Sequence, residues 1–348
     1  MKDVIALGLF SGGLDSILAC RTVAEQGIRV IGLKFVTPFF DNYLLGCKEK
    51  YQKEMQEKYE LQVEVIDLSQ GYLQLLHNPE HGFGKNFNPC IDCKIMMLRT
   101  ARELMATYNA SFLITGEVVG QRPMSQRRDT MRVIERDSGC SGLLLRPLSA
   151  LLLPPTPMEE KGLVDRAGLH RFAGRGRKPQ IELAARYGIT DYPNPAGGCI
   201  LTDRNLGARI KALYNGDIIL SDEDLSVEDV RLLLVGRQFQ IGGKYWLVVG
   251  RNERENELIR SLQKKGDWLL SMENHPGPTA LLRSAEETVL PDERENVLQY
   301  AAGIVVRYAK KVAGVHVAAE VCVEKDDSMV CRSFEPLDEE VVSSWQIT

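Results

Sequence analysis

The chain has 348 residues, of which 44% are hydrophobic and 26% charged, and its formal net charge is −4. That composition excludes a disordered chain and leaves enough apolar side chain for two ordinary cores. The near-balance of charge excludes a bulk nucleic-acid coat but not a local basic patch, and no apolar run reaches the length of a membrane span. The opening MKDVIALGLF lacks the long apolar core and small-residue cleavage site of a signal peptide, so a cytoplasmic enzyme or binding protein is the expectation.

In chain order, Val4 to Phe10 is a short apolar run bounded by Ser-Gly-Gly and reads as a buried strand. Leu14, Ile17 and Leu18 fall at helical spacing, with Gly27 to close that helix. A second strand over Val30 to Val36, a charged helix over Lys48 to Tyr59 and a third strand over Leu61 to Leu68 follow. Met97, Ala101, Leu104, Met105 and Tyr108 mark one face of a further helix, and Ser111 to Thr115 is the next strand. Leu151 to Pro157 is a proline-rich loop, and Lys178 to Tyr187 a helix ended by Gly188. These strand–helix repeats predict an α/β fold with a doubly wound parallel sheet over residues 1–215.

The acidic run SDEDLSVEDV places a boundary near residue 216. Beyond it, strands are expected at Arg231 to Gln240, Lys244 to Gly250, Asp267 to Ser271 and Thr279 to Arg283. Helices are expected at Asn252 to Lys264 and Asp292 to Ala313. Residues 216–319 thus form a second, smaller α+β domain, and residues 320–348 an acidic tail.

The sharpest motif is Ser11-Gly12-Gly13-Leu14-Asp15-Ser16, between a buried strand and a helix. The glycines let the backbone turn tightly and bring N–H groups to an anion, and the helix points its positive end at the same place. Ser11 and Ser16 add hydroxyl donors, while Asp15 suits a place beside Mg²⁺ rather than against phosphate. The Walker Gly-Lys-Ser/Thr is missing. The motif resembles the PP-loop of ATP pyrophosphatases, which implies ATP binding, adenylation of a substrate and release of pyrophosphate. Thr115-Gly116-Glu117, with Gln121 and Ser125-Gln126, resembles the corresponding segment of PP-loop tRNA 4-thiouridine synthetases. The resemblance places Gly116 and Gln121 at the nucleotide and Phe35, near the end of the second strand, at its adenine. Open α/β sheets bind ligands at the carboxyl ends of their strands, where all three segments fall.

Of eight cysteines, only Cys90 and Cys93 are closely spaced, in Asn88-Pro89-Cys90-Ile91-Asp92-Cys93-Lys94 ahead of a long helix. Such a pair serves zinc, redox or iron–sulfur chemistry, and a helix N-terminus favours the thiolate. Cys199 ends the glycine-rich Pro193-Asn194-Pro195-Ala196-Gly197-Gly198-Cys199. Thiolating PP-loop enzymes carry a CxxC and one later cysteine at a similar place, and the tRNA 2-thiouridine synthetases carry the same NPCxxC arrangement. The resemblance implies that Cys90, Cys93 and Cys199 hold a [4Fe-4S] cluster with one iron free of protein thiolate, or that Cys199 or Cys90 carries a persulfide that another cysteine resolves. A structural zinc on Cys90 and Cys93, with His77 or His81, is the alternative. Cys20, Cys47, Cys140, Cys322 and Cys331 have no such context, and Cys20 is expected in the core.

Two basic clusters stand out: Arg122, Arg127, Arg128 and Arg132 around the Gln121 loop, and His170, Arg171, Arg175, Arg177 and Lys178. Both are expected to meet an RNA backbone. Residues 230 to 312, with Gly243-Lys244-Tyr245-Trp246, Val249-Gly250-Arg251-Asn252, Glu255-Asn256-Glu257, Lys265-Gly266-Asp267 and His275, look like the NFACT-R RNA-binding domain. Leu269 to Asn274 departs from that pattern. Trp246 and Trp268 are then either base-stacking aromatics or core. Together the resemblances imply an ATP-dependent tRNA thiouridine synthase with tRNA and a sulfur donor, sulfide or a cysteine desulfurase, as partners. A PP-loop ligase acting on a small molecule, with structural cysteines, is the rival class.

Overall fold

The computed structural model describes residues 4–194, 199–220, 225–326 and 328–347. Pro195, Ala196, Gly197 and Gly198 of the loop before Cys199, and Ser221 to Asp224 of the acidic run, lie outside the described residues. The chain forms two compact units, Met1–Cys199 and Ile200–Thr348. No described helix is long and apolar enough to cross a membrane.

The first unit is built on a five-stranded parallel sheet: β1 (Ile5–Leu9), β2 (Arg29–Val36), β3 (Gln62–Asp67), β4 (Phe112–Thr115) and β5 (Leu144–Leu145), in the order β3-β2-β1-β4-β5. Successive residues of β1 serve opposite faces, as the two-residue period requires. Ala6 and Phe10 pack with Leu14, Ile17 and Leu18 of α1 (Leu14–Ala24), while Leu7 and Leu9 pack with Leu98 and Ala101 from the other side. A sheet covered on both faces is the reason its strands read as continuous apolar runs. α1 lies so close to β1 that a Cβ at Gly8 would stand 2.6 Å from the Cys20 sulfur. Burial accordingly pushes the Cys20 thiol up to about 12.

The remaining helices of this unit are α2 (Lys48–Tyr59), α3 (Ser69–His77), α4 (Cys90–Thr107), α5 (Arg128–Asp137), α6 (Pro157–Glu160) and α7 (Lys178–Arg186). The chain winds from β1 to one edge through β2 and β3, then returns to β4 on the far side of β1. The crevice between the carboxyl ends of β1 and β4 is therefore the topological switch point, where ligands of such sheets bind.

The second unit carries a six-stranded antiparallel sheet of β6 (Arg237–Ile241), β7 (Tyr245–Val249), β8 (Trp268–Ser271), β9 (Ala280–Leu282), β10 (Ala319–Lys325) and β11 (Ser328–Phe334), ordered β11-β10-β8-β9-β7-β6. The helix Arg294–Arg307 packs Val297, Ala301, Ile304 and Val305 into its core. The segment from residue 320, set apart as an acidic tail by composition, holds most of β10, all of β11 and the helix Glu339–Trp345. Arg231 to Leu233, expected in a strand, belong to the helix Val227–Leu233 instead. A reciprocal capping box between Ser226 and Asp229 starts that helix and outweighs the strand-like run Leu232–Val235.

Trp246 and Trp268 are fully buried, and their indole N–H groups donate to Gln238 Oε1 at 2.7 Å and Glu286 Oε1 at 2.6 Å. They are core aromatics, closed to base stacking. Cys322 and Cys331, given no partner by the sequence reading, face each other across β10 and β11 and form a disulfide.

Candidate active site

The loop after β1 is shaped by Gly12, whose φ of +81° is the left-handed region that favours glycine. A Cβ there would also stand 3.3 Å from the Tyr51 hydroxyl. Gly13 caps α1 with no side-chain hydrogen bond, so the first N–H groups of the helix are not taken by a capping side chain. Ser16 Oγ donates to the Gly13 carbonyl at 2.7 Å and lies 3.2 Å from Ser11 Oγ. The Gly13 N–H donates to Ser11 Oγ at 3.3 Å and the Ser16 N–H to the Gly13 carbonyl at 3.0 Å, so glycine backbone, two hydroxyls and a helix N-terminus share one loop, the composition of an anion cradle.

The loop after β4 touches this cradle directly. A Cβ on Gly116 would fall 2.6 Å from the backbone carbonyl of Asp15, so the approach of the two loops requires glycine. Gln121 Nε2 donates to Asp15 Oδ2 at 2.9 Å, while Asp15 Oδ1 and Gln121 Oε1 are buried without a hydrogen-bond partner among the described residues. Ser11, Gly12, Gly13, Asp15, Ser16, Gly116 and Gln121 thus gather at the switch point. Phe35 is 6% exposed and packs among Leu33, Leu68 and Ile95 in the core.

Lys34 is a site residue the sequence reading missed. It is 6% exposed, and its ammonium donates to the Ser11 carbonyl at 2.8 Å and pairs with Asp41 at 2.5 Å. The signal was present, as a lone lysine inside the otherwise apolar run Val30–Val36.

Cys90 and Cys93 occupy the first turn of α4. Asn88 Nδ2 donates to Cys90 Sγ at 3.2 Å. The Tyr72 hydroxyl, on α3, hydrogen-bonds Cys93. Tyr72 is 1% exposed, with its ring against Phe39 and Phe40 at centroid distances of 6.0 and 5.6 Å. Desolvation pushes the Cys93 thiol up to about 12, although the Tyr72 hydroxyl and Lys94 pull the other way. The helix N-terminus thus does not leave Cys93 a ready thiolate, because burial dominates. Burial also keeps Tyr72 protonated, hence a donor. Cys199 is half-buried and near enough to raise both Cys93 and Tyr72 by its charge. His81 pairs with Asp137 at 3.2 Å and gathers with Glu80 and Asp92 rather than with the thiols.

One buried carboxylate joins the two regions. Glu117 accepts from Thr115 Oγ1 and Arg146 Nε, both at 3.0 Å, and lies 3.8 Å from the Lys94 ammonium. Burial pushes Glu117 up, but Lys94 and Arg146 outweigh it and hold the carboxyl below its ordinary value. Arg146 also pairs with Glu135 at 2.7 Å. The end of β4 and the cysteine helix are thereby tied side chain to side chain.

The basic clusters meet as well. Val119 and Ala173 form a parallel bridge, and the Gly174 N–H donates to the Val119 carbonyl at 2.8 Å. Arg127, Arg128, Arg171, Arg175 and Lys178 are exposed, and Arg177 is half-buried. Arg127 pairs with Asp129 at 2.7 Å, and Arg128 donates to the Leu152 carbonyl at 3.0 Å.

No curated protein matches the chain. Among solved structures, a 4-thiouridine synthetase–RNA complex with bound ATP is similar at 19% identity, over 53% of this chain and 41% of that one, with a TM-score of 0.37. The U34-tRNA thiolase NcsA from Methanococcus maripaludis, with its [4Fe-4S] cluster, is similar at 18% identity over 57% and 63%, with a TM-score of 0.33. The C-terminal part of the fibronectin/fibrinogen-binding protein from Streptococcus suis is similar at 13% identity over 96% and 98%, with a TM-score of 0.27. This chain spans less than two thirds of the length of the first two. Two family matches divide the chain much as its sheets do: residues 2–151 are similar to the thiamine biosynthesis protein (ThiI) family, and residues 236–346 to the NFACT protein RNA binding domain.

Proposed function

We propose that the chain uses ATP to adenylate a uridine of tRNA and then replaces the uridine oxygen with sulfur held at Cys90, Cys93 and Cys199. The observation that carries this reading is the tie through Glu117 and Lys94 between the nucleotide loops and the thiol-bearing helix. Activation of an oxygen and delivery of sulfur need the two regions within one fold.

In this reading the Gly12–Gly13 backbone and the N-terminus of α1 bind the phosphates, with Ser11 and Ser16 as hydroxyl donors. The free Oδ1 of Asp15 suits a Mg²⁺ ion that neutralises the polyphosphate. The uridine oxygen attacks the α-phosphate, and pyrophosphate leaves. Sulfur then attacks the same base carbon, and AMP departs with the original oxygen. Gly116 and Gln121 hold Asp15 in register through both steps.

The three thiols fit a [4Fe-4S] cluster in their donor type and in being one short of a closed Cys₄ set. Such a cluster supplies an iron without a protein thiolate, at which inorganic sulfur can be delivered. Asn88 and Tyr72 hold Cys90 and Cys93 in place for it by hydrogen bonds to sulfur. The exposed arginines of the 119–128 and 171–178 loops and the NFACT-type unit would hold the tRNA.

Anaerobic purification with assays of iron, sulfide and zinc, and a Cys199→Ala control, tests the site. Iron and sulfide in the wild type, reduced in the variant, are expected. Zinc without iron would sink the cluster, and neither metal with sulfur transfer intact would assign the persulfide route. ATP–pyrophosphate exchange dependent on tRNA tests the adenylation.

A further inference from the structure

A cavity of about 370 Å³ opens in the first unit between α5, the Ser141–Arg146 stretch and the Leu153–Pro157 stretch. That volume is within the roughly 300–1,000 Å³ of small-ligand sites. Its charge is one-sided once the internal pairs are counted. Of the two carboxylates lining it, Glu135 is taken by Arg146 at 2.7 Å and Glu159 by Arg166 at 2.5 Å. Of the cations, Arg128 gives one N–H to the Leu152 carbonyl, and exposed Arg132 has no hydrogen bond or ion pair among the described residues. The walls between these charges are apolar and in part flat, from Met131, Leu153, Pro154 and Pro155. A cavity that combines a surplus of guanidinium with an exposed proline pair suits a planar ring that bears an anionic group.

The position narrows the class. α5 begins directly after the Gln121–Gln126 loop, and Gln121 is bonded to Asp15 of the phosphate loop. The cavity thus lies on the β5 side of the sheet, lined by Leu144 and Leu145, with its Arg128 a few residues along the chain from Gln121, and is separate from the crevice between β1 and β4. We infer that it seats one single-stranded nucleotide of the RNA substrate, close in the strand to the uridine under reaction. The base packs on the exposed Pro154–Pro155, and the phosphate bonds Arg128 and Arg132. This rests on the reading of the chain as an enzyme acting on tRNA.

The test uses the full chain. tRNA affinity is measured by fluorescence anisotropy for the wild type, Arg132→Glu and Arg132→Lys. A tRNA carrying 5-bromouridine is crosslinked by ultraviolet light, and the attached peptide identified by mass spectrometry. Arg132→Glu is expected to weaken tRNA binding by about tenfold or more through like-charge repulsion, and Arg132→Lys to restore most of it. ATP affinity and thermal unfolding, read separately, show whether the nucleotide site and fold are intact. Crosslinks are expected within residues 128–157. Equal tRNA affinity in Arg132→Glu, or crosslinks confined elsewhere, would overturn the assignment while tRNA binding itself stands. Competition by free UMP or AMP as strong as by RNA would also overturn it, by making the cavity a mononucleotide site. A wild type that does not bind tRNA would remove the enzyme reading and this one together.

Discussion

The nucleotide loops and the thiol region lie in the same unit but are made of different material. The first is backbone: a left-handed Gly12, an uncapped helix start and a Gly116 pressed against the Asp15 carbonyl. The second is side chain: two sulfurs in the first turn of α4, set by Asn88, Tyr72 and Lys94. A backbone site tolerates many changes nearby but not an added Cβ. A side-chain site survives small steric changes but responds to every hydrogen bond and charge around it. Between them lies Glu117, which answers to both rules.

The sharpest way to break this contrast is at Glu117. Glu117→Gln leaves Arg146 and Lys94 short of a buried counter-charge and is expected to cost about 3–5 kcal/mol in urea unfolding. The carboxyl is held below its ordinary value, so its contribution is present above the unfolded pKa and lost as pH falls through the folded one. The acid side of the stability–pH curve should therefore flatten in the variant, and an unchanged curve would refute the pairing. Next comes Gly116→Ala, whose Cβ displaces the Asp15 backbone. ATP affinity by calorimetry should fall on the order of 100-fold. A normal affinity would mean that the two loops do not need their contact.

Smaller effects are expected at the sulfurs. Tyr72→Phe removes a donor to Cys93, and alkylation of Cys93 in metal-free protein at fixed alkaline pH should slow by about tenfold, with ATP affinity unchanged. Asn88→Ala removes a neutral donor to Cys90, and a loss of only about 1 kcal/mol or less in stability is expected, read by thermal unfolding. If Tyr72→Phe weakens ATP binding as much as Gly116→Ala does, the division into backbone and side-chain sites fails.

The same division explains what could be read from the sequence. Ser11 to Ser16 and Thr115 to Glu117 were legible because backbone geometry demands glycine at fixed places beside apolar strands. The parallel sheet was legible for a related reason, since strands buried on both faces leave largely apolar runs such as Leu7–Phe10 and Val30–Val36, the latter broken only by Lys34. Tyr72 was not legible, because a tyrosine on an amphipathic helix looks like any core aromatic until its hydroxyl meets a sulfur. α5 was hidden by its own surface: only Met131 and Ile134 of its ten residues are buried, so Arg-Arg-Asp-Thr reads as a basic loop. In the second unit the strand positions were legible from β7 to β9. The tail was not, because β11 lies at the sheet edge with Met329 and Val330 exposed, and composition cannot tell an exposed edge from an unstructured end.

Lys94 follows Cys93 in the chain, and its ammonium reaches Glu117 at the end of β4, two residues beyond Thr115. The first turn of the helix thus carries both the thiols and a charge that meets the end of β4. Thermodynamic linkage then sets a symmetry between the two occupants. Whatever factor ATP imposes on the affinity of the thiol site for its metal or sulfur, that ligand imposes on ATP. Under the function proposed above, loading of the cysteines and binding of nucleotide would then report on each other through this one ion pair.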